Sequence, residues 1–333
     1  MARRSFHDQI NNLPCFEELP KLPNLPKGCT WGLWDKGSRD ELGTLNLLTP
    51  DTIKNAGTEI RAGISVSLNW SLDKPKIPVF GRKKLSHKII DNSTFSGSAS
   101  FDDELSFNTQ SGSQWDGLRH AVYRDQTLLY NRVTKQEIMG PDSTDVLGLN
   151  KWHDKGGIVG RGVLIDYVAY AERHGIEYSA TECHAISHAD LDAAAEAQGL
   201  TFKQGDILLV RSGLTKWFNE ASDEDRDSYF TNPMKAAVGI APTPETVSWV
   251  WDHHFSAVAG DTLAWEHVPY STNTLSFHTY LLAFWGTPIG ELWDLENLAE
   301  ICHKLGRYSF FLSSVPLNVP GGVASPPNAI AVF

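Results

Sequence analysis

The segment QSGSQWDGLRH, residues 110–120, brings two amides, a carboxylate and an imidazole together within eleven residues that are rich in turn formers. Asp116 and His120 are four residues apart, and in a loop or a short helix this spacing can direct both side chains into one cavity. There the carboxylate would hold a cation, and the imidazole, which titrates near neutrality, would transfer a proton. The segment therefore predicts a functional site, although Asp116 and His120 taken alone are also consistent with a structural turn.

The same segment resembles the HxGTHxDxPxH signature of the cyclase family, metal-dependent hydrolases that include bacterial kynurenine formamidases and isatin hydrolases. Asp116 and His120 stand where the signature has its aspartate and its last histidine. Gln110 and Gln114 stand where it has two further histidines. The resemblance runs from about Trp31 to the carboxyl terminus. The sequence is similar to a subgroup of the family that has glutamines at these two positions.

Two more residues of the resemblance lie far downstream, His278 and Glu291. The family places another histidine ligand and a metal-bridging carboxylate at these positions. Without the family, the apolar run that begins at His278 is also consistent with a hydrogen-bonded core histidine followed by a turn glutamate. A buried glutamate, however, needs a cation, a proton or a donor. The resemblance implies the metal ligands Asp116, His278 and Glu291, assisted by Gln114 and Gln110, and the catalytic residues His120 and Asp116.

The two glutamines change the metal chemistry that this resemblance implies. A glutamine amide is a far poorer zinc ligand than an imidazole, but its oxygen is compatible with a harder cation such as Mn²⁺ or Mg²⁺. Three outcomes are open: one metal ion instead of two, a harder metal, or a metal-free site. We expect one divalent ion per site, manganese or zinc, with magnesium as a further option.

Tryptophans near these segments are candidates for an aromatic wall against a flat substrate. Trp31 and Trp34 lie in a glycine-rich segment near the amino terminus, and the alternative is that both are packing residues. In related formamidases a similarly placed tryptophan lies against the substrate, which favours Trp34. We expect Trp115 and Trp265 to complete the substrate-binding wall.

Other polar groups are weaker candidates. His184 and His188 have the i, i+4 spacing of a helical zinc site, but a helix capped by Ser187 would leave His184 outside it. Asp261 and Glu266 follow an apolar strand, at a position where α/β proteins often collect polar site residues. These two residues are therefore possible neighbours of the pocket.

Local patterns predict a mixed α/β domain that would position these residues. Strands are predicted at ISVSLNW, GVLID, GDILLVRSG, FSAVAGD and RYSFFLSSV, and helices after Thr49 and at YVAYAERHG, SHADLDAAAEAQG, PTPETVSWVWDHH and DLENLAEICHKLG. Residues 71–105 are expected to form irregular surface excursions. Closely spaced prolines in residues 1–30 exclude a continuous helix, so we expect an extended arm followed by one domain over residues 31–333.

Composition excludes several classes of function. The formal net charge of −11 argues against nucleic acid or an anionic membrane as a partner, since either requires a concentrated basic surface. Four widely separated cysteines suggest neither a disulfide framework nor a thiolate zinc site. Motifs for nucleotide binding, for a serine nucleophile elbow and for HExxH zinc proteases are absent. With no long apolar run, a soluble, cytoplasmic protein is expected.

The resemblance implies the swivelling β/β/α fold of kynurenine formamidase, a mixed sheet with outer helices, in a homodimer or higher homo-oligomer whose arm can reach the partner. It also implies hydrolysis of a C–N or C–O bond in a small cyclic or aromatic amide, lactam, ester or lactone by metal-activated water. Two alternatives stay open. One is a lyase or isomerase-type cyclase of secondary metabolism that uses the same residues without net hydrolysis, and the other is a catalytically silent binding protein.

Overall fold

The fold is that of a computed structural model, which describes Ile10, residues 12–269 and residues 275–333. The strands over these residues are β1 (Ser65–Ser67), β2 (Ser86–Asp91), β3 (Phe101–Ser106), β4 (Gln114–Asp116), β5 (Ile158–Asp166), β6 (Ala185–Ile186), β7 (Ile207–Arg211), β8 (Gly239–Ile240), β9 (Ala257–Gly260), β10 (Ile289–Glu291), β11 (Ser309–Ser314), β12 (Ala324–Ser325) and β13 (Ala329–Val332). The helices are α1 (Pro50–Ala56), α2 (Ser93–Ser96), α3 (Lys135–Met139), α4 (Asn150–Asp154), α5 (Tyr167–His174), α6 (His188–Ala197), α7 (Leu214–Glu220), α8 (Asp223–Thr231), α9 (Pro244–Asp252), a π-helix (Thr279–Trp285) and α10 (Glu296–Leu305).

A nine-stranded mixed sheet forms the centre of the protein, in the order β1-β13-β11-β5-β7-β9-β10-β4-β12. The four strands β5, β7, β9 and β10 are parallel neighbours, and the strands on either side of them pair antiparallel. Each edge of the parallel part of the sheet is therefore paired with an antiparallel strand. The candidate site lies at one of these two antiparallel pairings, that of β10 with β4.

Both faces of this sheet are buried. In β7, Leu208 and Val210 join one hydrophobic cluster, and Ile207 and Leu209 join a second cluster on the opposite face. Alternate side chains of a strand point to opposite faces, so a strand that is apolar at every position must be covered on both sides. Helices provide much of that cover, and the predicted mixed sheet with outer helices is confirmed. No helix in the described ranges is long and apolar enough to cross a lipid bilayer.

Several helix starts follow the chemistry of their capping residues. Thr49 accepts a hydrogen bond from the Thr52 backbone at the start of α1, as the sequence predicts. Ser187 and Asp190 form the predicted capping box at the start of α6. Gly175, in the left-handed conformation, ends α5.

Residues 71–105 are more regular than predicted. Strands β2 and β3 pair over six residues each and form a separate antiparallel hairpin. Most of its side chains are exposed, including Ile89 and Phe101, at 67% and 69% of their surface. Because neither face of the hairpin is buried, the sequence shows no apolar alternation that would predict these strands.

The described part of the amino-terminal segment packs against its own chain. The carbonyl of Pro14 accepts a hydrogen bond from the Trp251 indole, and that of Gly28 accepts one from Trp285. Phe16 is buried. Most of residues 1–11 lie outside the described residues, and contact of the arm with a second subunit stays a prediction.

Candidate active site

The pairing of β4 with β10 positions three of the predicted ligands on one face of the sheet. Gln114 lies directly opposite Glu291 in the antiparallel register, and Asp116 is two residues further along the same strand. Side chains two residues apart in a strand point to the same face, and so do those of directly paired residues. All three side chains are buried, with Gln114 and Asp116 fully so.

Trp115 points to the opposite face, which corrects the prediction that it contacts substrate. Its ring packs edge-on against Trp293 at 4.8 Å, and its indole nitrogen donates to Ser314 Oγ over 2.8 Å. The partner residue in β10 is Gly290, where a Cβ would meet Ala259 at 2.5 Å. A glycine is therefore required at this point for β9 and β10 to pack closely.

His278 enters the site from the start of the π-helix. Glu266, on the segment after β9, accepts a hydrogen bond from the Phe277 backbone and one from His278 Nδ1 over 2.8 Å. These contacts fix the imidazole so that its Nε2 faces the β4–β10 pair. An imidazole held by a carboxylate through one nitrogen is the usual arrangement of a metal-binding histidine. Glu266 is thus a neighbour of the site, as the sequence suggested.

His120 approaches from the turn that follows β4. Its backbone nitrogen donates to the carbonyl of Gly117, which closes the turn. The His120 Nε2 atom lies 3.5 Å from Asp116 Oδ2, and His278 Nε2 lies 3.7 Å from the same oxygen. His278 Nε2 is also 3.2 Å from Glu291 Oε1. Five side chains thus converge, and we call them the donor cluster: Gln114, Asp116, His120, His278 and Glu291.

The two glutamines orient the carboxylates of the site. Gln110 Nε2 donates to Asp116 Oδ1 over 2.7 Å and lies 3.0 Å from His120 Nδ1. Gln114 Nε2 donates to Asp116 Oδ1 over 3.0 Å and to Glu291 Oε2 over 2.7 Å. These amides therefore bind one oxygen of each carboxylate and leave the other oxygen directed inward. In these contacts Gln110 positions the Asp116 carboxylate, and a role of Gln110 as a metal ligand stays a prediction.

Three buried oxygens of the donor cluster test whether a cation fits. Gln114 Oε1, Asp116 Oδ2 and Glu291 Oε1 receive no hydrogen bond from any described residue. Buried polar atoms are normally satisfied, and carboxylate and amide oxygens with one or two imidazoles form a donor set for a divalent ion. Asp116, His120 and His278 place their ligand atoms within 4.8 Å of one another. The residues therefore fit a metal ion, and His120 joins the donors, whereas the sequence predicted only proton transfer for it.

Burial and charge shift the pKa values of these groups in different directions. Burial, helped by the negative charge of Asp116, raises the pKa of Glu291 to about 7. Burial also opposes ionisation of Asp116, but the charges of His120 and His278 outweigh it, and the pKa of Asp116 falls. Burial lowers the pKa of His120. For His278, interactions with Asp116 and nearby glutamates outweigh burial and raise its pKa. The carboxylates of the site therefore favour a positive charge among them.

The donor cluster opens into a cavity of about 530 Å³. His120, His278, Glu291 and Glu266 line this cavity together with apolar side chains such as Leu263. A volume of this size accommodates a small molecule. Substrate can therefore reach the three residues of the donor cluster that line the cavity.

Trp34 and Trp265 do not line this cavity, which corrects the predicted aromatic wall. Trp34 is 2% exposed and packs in the core near Trp285. Trp265 is 1% exposed, donates to the carbonyl of Ala259 and packs against Phe277. Both indoles serve as core residues, and for Trp34 this is the alternative that the sequence left open.

Two other candidate groups have structural roles. His184 precedes α6, and its Nε2 pairs with the Tyr167 hydroxyl at 2.9 Å, so it shares no helix face with His188. The buried carboxylate of Asp261 accepts hydrogen bonds from the backbone of Ser212 and Gly213. Neither group lies at the cavity.

Comparison with known proteins assigns the family. A family model described as a putative cyclase matches residues 46–267 of the 333 residues. The chain belongs to the cyclase family. It is similar to a crystal structure described as a novel cyclase, with 34% sequence identity, a TM-score of 0.80, and coverage of 92% of this chain and 100% of that chain. This likeness confirms the predicted cyclase-type fold.

More distant cyclase-type structures share the fold. Isatin hydrolase A from Ralstonia solanacearum is 18% identical with a TM-score of 0.56, and the match covers 84% of this chain and 94% of that chain. Isatin hydrolase A from Labrenzia aggregata, bound to benzyl benzoate, is 17% identical with a TM-score of 0.55, over 83% and 94% of the two chains. The sequence has no significant match among curated proteins. This chain therefore shares its fold with these hydrolases, and its chemistry has to be inferred from the residues of the site.

Gln114→His is expected to strengthen zinc binding. The imidazole would replace the Gln114 amide, whose oxygen has no donor in the described part of the chain, and imidazole is the better zinc ligand. We expect the zinc dissociation constant to fall at least about tenfold, equivalent to about 1.4 kcal/mol. Competition with a chromogenic chelator measures it. Gln126→His, on an exposed turn, is the matched control, and an unchanged constant for Gln114→His would contradict a ligand position at residue 114.

Proposed function

We propose that this cyclase-family protein is a metal-dependent hydrolase of a small cyclic or aromatic amide, lactam, ester or lactone. The proposal is supported by three buried oxygens that accept no hydrogen bond from any described residue and that face two imidazoles beside a cavity. Such a set is costly to bury unless a cation satisfies it. A divalent ion held in this way can polarise a carbonyl group and activate water, which together are the chemistry of hydrolysis.

Four side chains of the donor cluster would bind the ion, and neighbouring side chains would orient them. Asp116, His278 and Glu291 would hold the ion, with the amide oxygen of Gln114 as a further ligand, while Gln110 orients Asp116 through its hydrogen bond. The bound ion would polarise the scissile carbonyl and lower the pKa of a water molecule. Glu266 would keep the His278 imidazole oriented through Nδ1.

His120 is the residue proposed to move the proton. It lines the cavity, and burial lowers its pKa, so that it can accept a proton from the attacking water. The new C–O bond forms as the C–N or C–O bond of the substrate breaks, and the proton passes from His120 to the departing nitrogen or oxygen. His120 can act in this way only while its imidazole is not required as a metal ligand. The metal content and turnover of a His120→Asn variant distinguish these two roles.

Isotope incorporation tests hydrolysis against the alternatives. Reaction in H₂¹⁸O with a panel of aryl formamides, aryl esters, lactams and lactones is expected to place one ¹⁸O atom in the acid product, measured by mass spectrometry. A product that forms without ¹⁸O would indicate a lyase or an isomerase-type cyclase instead. Absence of turnover over the whole panel, from protein loaded with manganese or zinc, would favour a silent binding protein.

Metal content is expected to show one ion per chain. Two carboxylates, one imidazole and one amide, from Asp116, Glu291, His278 and Gln114, suit a single ion with oxygen-rich coordination better than a pair of zinc ions. Elemental analysis after purification measures the stoichiometry, and dialysis against a chelator should remove both the ion and the activity, with recovery on adding Mn²⁺. Two zinc ions per chain that survive the chelator would contradict this expectation.

A further inference from the structure

Two arginines, Arg82 and Arg124, lie on the wall of the cavity that contains the donor cluster. Apolar side chains line the same cavity beside them, including Phe80, Val122 and Leu263. Neither arginine has a part in cation binding or proton transfer as proposed above. Two positive charges in a cavity with apolar neighbours point to a ligand with a negative charge and an apolar body.

Arg82 is held beside the donor cluster by neighbouring groups. Its Nη1 donates to the carbonyl oxygen of Gln110 over 2.9 Å, and its guanidinium lies 5.2 Å from the centre of the Phe80 ring. The Gln110 side chain in turn donates to Asp116. Arg82 is half-buried, whereas Arg124 is exposed, and exposed side chains change rotamer readily. One guanidinium is therefore preorganised, and the second can adjust to a ligand.

Neither guanidinium forms an ion pair with a carboxylate of residues 12–269 or 275–333, although the charge of Arg82 is close enough to favour the ionised forms of Asp116 and Glu291. The arginine ion pairs in this part of the chain are made by other residues, namely Arg39, Arg161, Arg211, Arg226 and Arg307. An arginine is always charged and presents five donors in a planar fork. Most of the donors of Arg82 and Arg124 are thus available to a ligand in the cavity.

We infer that Arg82 and Arg124 form a subsite for a carboxylate of the substrate. The inference rests on the proposed function and narrows the substrate to an aromatic or cyclic amide or ester that carries a carboxylate apart from the scissile bond. The carboxylate accepts hydrogen bonds from the two guanidiniums, and the ring lies against Phe80, Val122 and Leu263. The scissile carbonyl then faces the donor cluster.

The charges of the cavity favour a carboxylate over a phosphate. Glu266 and Glu291 line the cavity, and Asp116 lies beside them, so an entering dianion meets three acidic groups. A carboxylate has a single charge and half the repulsion at the same distance. Its two coplanar oxygens also match the fork of a guanidinium. A monoanionic, planar group is therefore the better fit.

Substrate preference tests the subsite. The metal-loaded protein is assayed with formanilide and with its 2-, 3- and 4-carboxylates, and one carboxylated isomer is expected to have a kcat/KM about 100-fold above that of formanilide. The preferred isomer reports the distance between the subsite and the reacting carbonyl. Equal kcat/KM values for formanilide and all three carboxylates would overturn the inference while leaving the hydrolase proposal intact.

Variants of the two arginines test whether they cause the preference for a carboxylated substrate. Arg124→Gln and Arg82→Gln are each expected to reduce the preference for the carboxylated isomer about tenfold. Arg82→Lys retains the charge without the fork and should reduce it less. Arg173→Gln, on an exposed position of α5 outside the cavity, should leave the preference unchanged. Because Arg124 is exposed, Arg124→Gln tests the inference even if the Arg82 variants do not fold.

Equilibrium binding separates failure of the subsite from failure of the proposed function. Calorimetry with benzoate and with neutral benzyl alcohol is expected to show binding of benzoate that weakens about tenfold in Arg124→Gln and is retained in Arg173→Gln. If no formanilide is hydrolysed but benzoate shows this dependence, the subsite stands and the hydrolase proposal fails. Benzoate binding that is unaffected by the Arg82 and Arg124 variants would place the anion on the metal and overturn the subsite.

Discussion

Asp116→Asn is expected to remove the metal ion and reduce kcat/KM at least about 10³-fold, because this carboxylate supplies charge to the cation. Gln110 and Gln114 both donate to Asp116 Oδ1. The asparagine oxygen would satisfy those two amides, and its NH₂ group would then point towards the two imidazoles, where Asp116 Oδ2 now lies. The variant thus presents a donor at the position where a cation needs an acceptor.

Elemental analysis and steady-state kinetics check this expectation. Asp142→Asn, on an exposed turn, is the matched control and should keep both metal and activity. In chelator-treated protein, thermal stability of Asp116→Asn should not fall below that of the unsubstituted protein, because one of several clustered carboxylates is removed. Retention of one ion per chain together with full turnover would exclude Asp116 from the site.

His120→Asn is expected to reduce kcat by about 10² to 10⁴, the usual effect of losing a general acid or base. Asparagine approximates the size of the imidazole and keeps one hydrogen bond, but it cannot titrate near neutrality. Its effect on thermal stability should be small, since His120 is only partly buried at the cavity wall. The metal content should stay near one ion per chain, because Asp116, His278, Glu291 and Gln114 are all retained.

The same variant distinguishes the two roles open to His120, that of proton carrier and that of metal ligand. Loss of the ion together with turnover would make His120 a ligand, as its place in the donor cluster allows, and the proton would then have to be moved by another group. Full turnover, or an unfolded protein, would make the imidazole structural. His174→Asn, at the exposed end of α5, controls for histidine removal elsewhere.

Local structure was largely predictable because its causes are local. The caps at Thr49 and Ser187 and the apolar runs of β5, β7, β9 and β11 each depend on a few neighbouring residues. The β2–β3 hairpin was missed because exposure on both faces removes the period-two signal. Alternation within QWD would also have shown that Trp115 cannot face the same cavity as Gln114 and Asp116 once that segment is a strand.

The assembly of the candidate site depends on contacts that no local pattern contains. Gln114 and Glu291 pair across the sheet although 177 residues separate them, and only resemblance to the cyclase family brought them together in advance. Arg82 and Arg124 were missed altogether, because no spacing relates them to residues 110–120. Only the folded chain shows that these arginines lie on the wall of the same cavity as the donor cluster.

The backbone pairing of β4 with β10, here called the β4–β10 ladder, positions the side chains of the site independently of which side chains they are. Backbone hydrogen bonds between paired strands set where positions 114, 116 and 291 project, whichever side chains occupy them. One substitution at such a position can alter the preferred cation without a change in loop conformation. The same ladder could therefore host zinc, manganese or no metal among variants of this chain, which makes it a practical scaffold for engineering metal selectivity one side chain at a time.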